Sequence, residues 1–400
     1  MRILVVSPFL PYPPLAGGHA QIWSWLRHLS REHEVAFVGL YEREEEAPGL
    51  QEIERLCAAA RARLRCPTPH AYTSFAQLPM WVTEFCSGEL AGDLREVARS
   101  FQPSVVLFAS TNMAQYRRCV GHAAVAVCAL EIGFVACRRR IEAARGFDRL
   151  RARLDWLRML RYETAVFRRA EHVVAVSDRD AEIIRAVAPR ARITAVPPGV
   201  DEEQLAPRHR NPIPATVLYV GHMEHYPNLD GLLYLFREIW PRVRAQAPEA
   251  RLIVAGRGAR EELARVAPEA LAAMDADQSV ELAGFVPDLR ALMDRTAALA
   301  APLRLGGGVR NKVIESLAAG LPVVTTTRGA EGLAVARERE LLIADAPQEF
   351  ATQLVRLLRD QALQARLAAA GRALAARDHG NDELARRLAR ALSQAAGARA

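Results

Sequence analysis

Short runs of β-branched and aliphatic residues alternate with longer amphipathic stretches along nearly the whole chain. No other feature narrows its fold so far. Ile3–Ser7, Val35–Leu40, Val105–Phe108, Ala123–Leu130, Val173–Val176 and Ile193–Val196 read as buried parallel strands. Thr216–Val220, Arg251–Ala255, Val280–Leu282, Leu299–Ala301, Pro322–Thr325 and Leu341–Ile343 repeat the pattern. Helical stretches lie between them, among them His19–Ser30, Leu150–Arg169, Leu229–Gln246 and Val309–Ala319. Strands separated by helices form parallel sheets with right-handed crossovers. A chain of 400 residues exceeds one comfortable core. Pro197-Pro198-Gly199 and the proline-rich Ala206–Pro214 interrupt the series near its middle. The expected organisation is a Rossmann-like domain over 1–196, a linker over 197–214 and a second such domain over 215–378. A last amphipathic helix within 379–400 is expected to pack back on the first domain. The fold class is therefore α/β, two doubly wound domains facing each other across a cleft.

The charge distribution narrows the partners. Of 53 basic residues only Lys312 is a lysine, and the formal net charge is +7. Residues 138–169 carry eleven arginines against Glu142, Asp148, Asp155 and Glu163, an excess equal to that of the whole chain. With Leu150, Leu154, Trp156 and Leu157 interleaved, the stretch is a candidate contact for an anionic membrane surface. A solvated helix with i,i+4 pairs is the alternative. No nucleic-acid-reading motif accompanies the charge, so nucleic acid is not an expected partner. Six cysteines fall in roughly the first third without CxxC spacing. Cys128 and Cys137 interrupt apolar runs and read as buried small hydrophobes in a reduced, cytoplasmic protein. The Met1–Val6 run is too short for a signal peptide, and Cys119–Cys137 is too polar in its middle to span a bilayer. A cytoplasmic protein is expected, with the inner face of the membrane as a candidate contact.

Open parallel sheets bind ligands beyond the carboxyl ends of their strands. Gly17-Gly18 follows the first strand and precedes a helix, where backbone N–H groups can approach an anion. The loop is not GxGxxG, which disfavours a dinucleotide-dependent dehydrogenase. In the second half Gly221, Gly256-Arg257-Gly258 and Gly306-Gly307-Gly308 sit at strand ends. After the last of these come Val309, Arg310, Asn311, Lys312, Val313, Ile314 and Glu315, then Gly320-Leu321-Pro322. Val309, Val313 and Leu317 form an apolar row, and Lys312 and Glu315 share the opposite face. A glycine turn, a helix N-terminus, Arg310 and Lys312 make a cradle for a diphosphate, and Glu315 could accept two ribose hydroxyls. Asp275-Ala276-Asp277 has the look of a metal-binding DxD, but it precedes a strand and reads as a solvated turn.

Gly306 through Pro322 resembles the donor-site segment of GT-B glycosyltransferases of family 4, in which a glutamate on the helix precedes an A-x-G-x-P-V-V run. Here Ala318-Ala319-Gly320-Leu321-Pro322-Val323-Val324 stands in that place. The resemblance extends through Val176-Ser177, Val196–Asp201, Tyr219-Val220-Gly221, Gly284–Asp288 and Gly329–Leu333. It is closest to bacterial exopolysaccharide-type sugar transferases, whose Y-P-N segment is similar to Tyr226-Pro227-Asn228.

The resemblance implies a transferase that moves a sugar from a nucleotide-diphosphate sugar to a glycan or lipid-linked acceptor. It would be retaining, with no cofactor, and would act in surface polysaccharide or glycolipid assembly; with no His/Cys/carboxylate cluster at metal-ligand spacing, metal-independent transfer is expected. Glu315 would hold the ribose. Arg310 and Lys312, with the backbone of Gly307 and Gly308, would hold the diphosphate. Gly221 and His222 would line the donor site, Arg257 with Phe285 and Val286 would frame the base, and Gly17 and Gly18 would meet the phosphate. Arg310, Lys312 and Glu131 are the implied catalytic residues. Three positions depart from the family: Gly307 replaces the first of a glutamate pair, His222 a basic residue, and Glu131 stands nearest the usual loop histidine. Two alternatives share the architecture, a sugar-nucleotide epimerase or hydrolase and a scaffold without catalysis.

Overall fold

The computed structural model describes residues 1–14, 17–66, 78–143, 145–206, 208–306 and 308–398. Two compact units emerge, one formed by Met1–Pro198 with Asn381–Ala400, the other by Gly199–Gly380.

The first unit is built on β1 (Arg2–Ser7), β2 (Glu34–Tyr41), β3 (Ala59–Leu64), β4 (Val105–Phe108), β5 (Ala124–Ala129), β6 (His172–Ala175) and β7 (Ile193–Ala195). They form one sheet in the order β3-β2-β1-β4-β5-β6-β7. Ile3 of β1 lies opposite Val35 on one side and Val105 on the other, in parallel register. Both faces of the central strands are buried, so they read as unbroken apolar runs. The sequence reading finds all of these strands except β3. Its run Ala-Ala-Arg-Ala-Arg-Leu alternates apolar with charged residues because it is an edge strand, covered on one face only. Arg63 of β3 forms a two-point pair with the buried Asp93, with N–O distances of 2.6 and 2.9 Å.

The helix Asn381–Gly397 packs in this unit. Its Leu384, Leu388 and Leu392 are buried in the same cluster as Ile3, Ile22 and Leu26. Burial of each such leucine contributes about 1.5–3 kcal/mol. Asp382 in its first turn also meets Arg31 at 2.9 Å and His28 at 3.1 Å.

The second unit carries β8 (Thr216–Val220), β9 (Arg251–Ala255), β10 (Val280–Gly284), β11 (Ala298–Ala301), β12 (Val323–Thr325) and β13 (Leu342–Ile343). Their order is β10-β9-β8-β11-β12-β13, again wholly parallel. Both sheets thus reverse direction once, between β1 and β4 and between β8 and β11. This is the doubly wound pattern, and it opens a crevice beyond the strand ends at the reversal. The largest buried side chains of the second unit are Trp240, Tyr219 and Phe350, and the Trp240 indole donates to the Ser279 hydroxyl at 3.0 Å.

Most of the segment expected as a linker, residues 199–214, packs as part of the second unit. Its half-buried Arg210 donates to the carbonyls of Gly320 at 2.6 Å and Thr296 at 2.5 Å. Those carbonyls end the helices Asn311–Ala319 and Leu289–Arg295, where a cation is favoured. No described helix is long and apolar enough to cross a membrane.

Candidate active site

In the second unit the loops that leave β8, β9, β10 and β11 meet at the carboxyl edge. Gly221 N–H donates to Ala255 O at 3.0 Å, Met223 N–H to Arg257 O at 2.9 Å and Gly256 N–H to Gly284 O at 2.7 Å. Gly256 sits at φ +137°, and a Cβ there would lie 1.8 Å from the Gly221 carbonyl oxygen. Only glycine lets these two loops touch.

Lys312 reaches this edge from the first turn of the Asn311–Ala319 helix. Its ammonium donates to the carbonyl of Val220, the last residue of β8, and to Asn228 Oδ1 at 2.8 Å. It also lies 5.2 Å from the centre of the Tyr219 ring. Burial, reinforced by the Arg310 guanidinium, pushes the ammonium down to about 7, while Glu315 acts in the opposite sense. Glu315 lies one turn further along and is raised above the usual carboxylate range by burial, with Lys312 pulling it back. The two side chains form no ion pair within 4.0 Å, so they are not the exposed Lys–Glu pair that their spacing also permits.

Arg310 precedes the helix as its N-cap, and no side chain caps the helix there. Val313 N–H already turns back to Arg310 O at 3.0 Å, so the N–H groups of Asn311 and Lys312 are the ones without an intrahelical acceptor. The Arg310 guanidinium donates to Leu305 O at 3.2 Å and would crowd a Cβ on Gly306 at 3.1 Å. Gly306 and Gly308 both have positive φ, +85° and +74°. Gly307 lies outside the described residues. The Arg257 guanidinium sits 4.5 Å above the Phe285 ring, which is 53 % exposed, and the half-buried Val286 follows it. His222 is half-buried and its Nε2 lies 3.4 Å from Glu224. Arg310, Lys312, Glu315, Gly221, His222, Gly308, Arg257, Phe285 and Val286 thus all belong to one edge of one unit. Asp275 and Asp277 do not: they precede β10, where Asp275 pairs with Arg260 and Asp277 accepts from Ser279.

Gly17, Gly18 and Glu131 belong to the first unit. Gly17 opens the Gly17–Leu29 helix, and a Cβ on Gly18 would lie 2.9 Å from the Phe9 ring. The Phe9 ring stacks on His19 at 4.1 Å. Glu131 is exposed just beyond β5.

The residue that the sequence reading misses here is Glu163, counted there only as a counter-charge among arginines. It is fully buried. One carboxylate oxygen accepts from Thr111 Oγ1 at 2.8 Å and Gly133 N–H at 3.0 Å, the other from Phe134 N–H at 2.9 Å. Tyr162 beside it donates to Thr111 O at 2.9 Å. Together they fix the loops that leave β4 and β5. Burial pushes the Glu163 carboxyl up to about 7, against the pull of its three hydrogen bonds, and Glu131 adds to the rise. Asn228, quoted in the sequence only as part of Y-P-N, is the other omission.

The family profile described as Glycosyltransferase Family 4 matches residues 16–204, and that described as Glycosyl transferases group 1 matches residues 214–360. An uncharacterised 44.6 kDa protein in the cps region of Klebsiella pneumoniae is 27% identical over 141 residues. That alignment takes in 35% of this chain and 36% of the relative. Among solved structures, Anabaena HepE in complex with UDP and glucose has a TM-score of 0.71 at 13% identity, over 98% of this chain and 99% of that one. Sucrose-phosphate synthase from Thermosynechococcus elongatus has a TM-score of 0.70 at 16% identity, with full coverage of both chains at 100%. Those structures share the fold, and the two family matches fall on the two units that compose it. The chain is a GT-B glycosyltransferase of the group 1, family 4 kind.

Proposed function

We propose that the chain transfers a sugar from a nucleotide-diphosphate sugar to a glycan or lipid-linked acceptor during surface polysaccharide or glycolipid assembly. The observation that carries this reading is the position of Lys312, the one lysine of the chain, at the reversal point of the second sheet beside Arg310 and a helix N-terminus. Glycosyl transfer builds positive charge on the sugar ring and negative charge on the departing diphosphate. Lys312, Arg310 and the N–H groups that open the helix stabilise that negative charge. Glu315 accepts hydrogen bonds from the ribose hydroxyls, and Arg257 over Phe285 offers a flat face to the base. Two cations and a helix terminus can supply the charge stabilisation that a divalent ion would, and a metal-independent reaction belongs to this reading. Retention of configuration belongs to the same reading, with the departing phosphate taking the acceptor proton. The HepE complex with UDP and glucose and the cps-region relative support the donor class and the setting.

The test is release of nucleoside diphosphate from UDP-, GDP- and ADP-sugars, with and without lipid extracts as acceptor. The reading expects turnover with one base and stimulation by acceptor; no release from any donor would sink it.

The same reading places the Gly146–Arg169 helix on an anionic membrane surface. Leu150 and Leu157, two turns apart, are each 52% exposed. Exposed Arg149, Arg151, Arg153 and Arg161 surround them. Apolar anchors ringed by guanidinium groups suit an anionic interface. In flotation with phosphatidylcholine vesicles, binding should require phosphatidylglycerol. Leu150→Glu with Leu157→Glu should weaken it by about tenfold or more. Equal flotation of the double variant would contradict this.

A further inference from the structure

Asn228 touches more of the candidate site than any role so far given to it requires. It follows Pro227 in the first turn of the Tyr226–Tyr234 helix. Its backbone N–H donates to His225 O at 2.8 Å, and its own carbonyl accepts from the Tyr219 hydroxyl, which β8 supplies from the core. Its side chain has two partners of opposite kind. Nδ2 donates to His222 O at 2.9 Å, and Oδ1 accepts from Lys312 Nζ at 2.8 Å. A carbonyl and an ammonium permit one orientation of an amide only. The neighbourhood is closed as well: a Cβ on Gly221 would lie 2.9 Å from Asn228 and 3.1 Å from Lys312 Nζ.

We infer that Asn228 is a positioning residue. It holds the Lys312 ammonium at the end of β8 and ties it to the loop carrying His222, so that one N–H of the ammonium is left to the diphosphate of the donor. The inference rests on the donor reading above and says how the lysine is kept in place and charged. An ammonium has three protons, and Val220 O and Asn228 Oδ1 engage two. The groups facing it are Arg310 at the N-cap of its helix, Glu315 one turn along that helix, His225 from the loop after β8, and the Tyr219 ring from β8. Of these, Glu315 favours the charged lysine, and Arg310 and burial oppose it. The Asn228 oxygen is thus one of two dipoles that sustain the charge at neutral pH. An arriving diphosphate, being anionic, favours the charged form further, so donor binding takes up a proton wherever the free lysine is partly neutral.

Because Lys312 is the only lysine in the chain, a protein labelled with 13C at lysine Cε gives a single side-chain signal. Its pH titration reads this residue directly, in the whole chain without added lysines. The free protein should titrate near neutrality. Saturating UDP, or GDP or ADP if one of those binds instead, should move the midpoint upward. Asn228→Ala removes the acceptor and should move the free midpoint down, and Asn228→Asp places a carboxylate there and should move it up, each by about one pH unit. Asn228→Ala should also weaken nucleotide binding by about tenfold near pH 7. A residue that merely supported the fold would lower stability without shifting the lysine in opposite directions. If both folded variants leave the lysine midpoint where the wild type has it, the positioning role is wrong, whether or not nucleotide binds. If no nucleotide moves the wild-type signal while the variants still shift it, the donor reading fails and the role of Asn228 in holding the lysine stands.

Discussion

Replacing Lys312 by alanine is expected to slow transfer by about 10²–10³-fold while changing the donor KM much less. The asymmetry follows from where charge develops. In the bound donor the diphosphate is already anionic and is shared among Arg310, the helix N-terminus and Lys312. Its charge grows as the bond to the sugar breaks, and a preorganised cation is worth more at that stage than in the ground state. Loss of one such donor typically costs about 3–4 kcal/mol of barrier. Arginine should not rescue the site. Its planar fork cannot replace an ammonium that donates to Val220 O and Asn228 Oδ1 from one nitrogen. Steady-state kinetics on Lys312→Ala and Lys312→Arg check this. If kcat were unchanged in Lys312→Ala, the phosphate role of the lysine would be wrong.

Glu163→Ala should be among the costly single changes at a polar residue of the first unit. It leaves Gly133 N–H, Phe134 N–H and the Thr111 hydroxyl without their acceptor and opens a cavity under the loop that carries Glu131. A loss of about 3 kcal/mol is expected, which lowers the melting midpoint of this unit by about 6–12 °C near pH 6. The wild-type residue also carries a pH signature. Its carboxyl titrates in the native state near 7, above the ordinary carboxylate range. Between those limits the native state holds a proton that the unfolded chain has released, so this group makes stability fall as pH rises from about 4.5 to about 7. The fall amounts to at most about 3 kcal/mol. Glu163→Gln cannot titrate and should flatten that part of the profile. A Glu163→Gln profile with the wild-type slope would show that another group is responsible.

What could be read from the sequence depended on how local each signal was. The strands beside the two reversal points are buried on both faces, so Ile3–Ser7, Val105–Phe108 and Thr216–Val220 stand out as apolar runs. The edge strand Ala59–Leu64 does not, since four of its six side chains are arginine or partly exposed alanine. Lys312 was conspicuous because the composition leaves no other lysine. Its partners were not: Val220 lies 92 residues away and Asn228 lies 84 residues away, and both meet it only because β8 and β11 are neighbours. Glu163 is the extreme case. It sits among arginines in a helix that reads as solvated, and its three hydrogen-bond partners lie 29, 30 and 52 residues upstream. Nothing in the local spacing separates such a carboxylate from a surface counter-charge, and only the crossing of that helix over two strand ends makes it structural. The 197–214 segment misleads in the opposite way. Prolines mark it as a connection, yet Arg210 uses it to close the ends of two helices.

The most direct test of the account is calorimetric titration of UDP, GDP and ADP into the whole wild-type chain and into Glu315→Ala. Saturable binding of one nucleotide to the wild type is expected, weakened by about tenfold or more in Glu315→Ala through loss of the ribose contacts. Failure of all three nucleotides to bind, or equal affinity in the variant, would contradict the assignment of the second unit's strand-end site to the sugar donor.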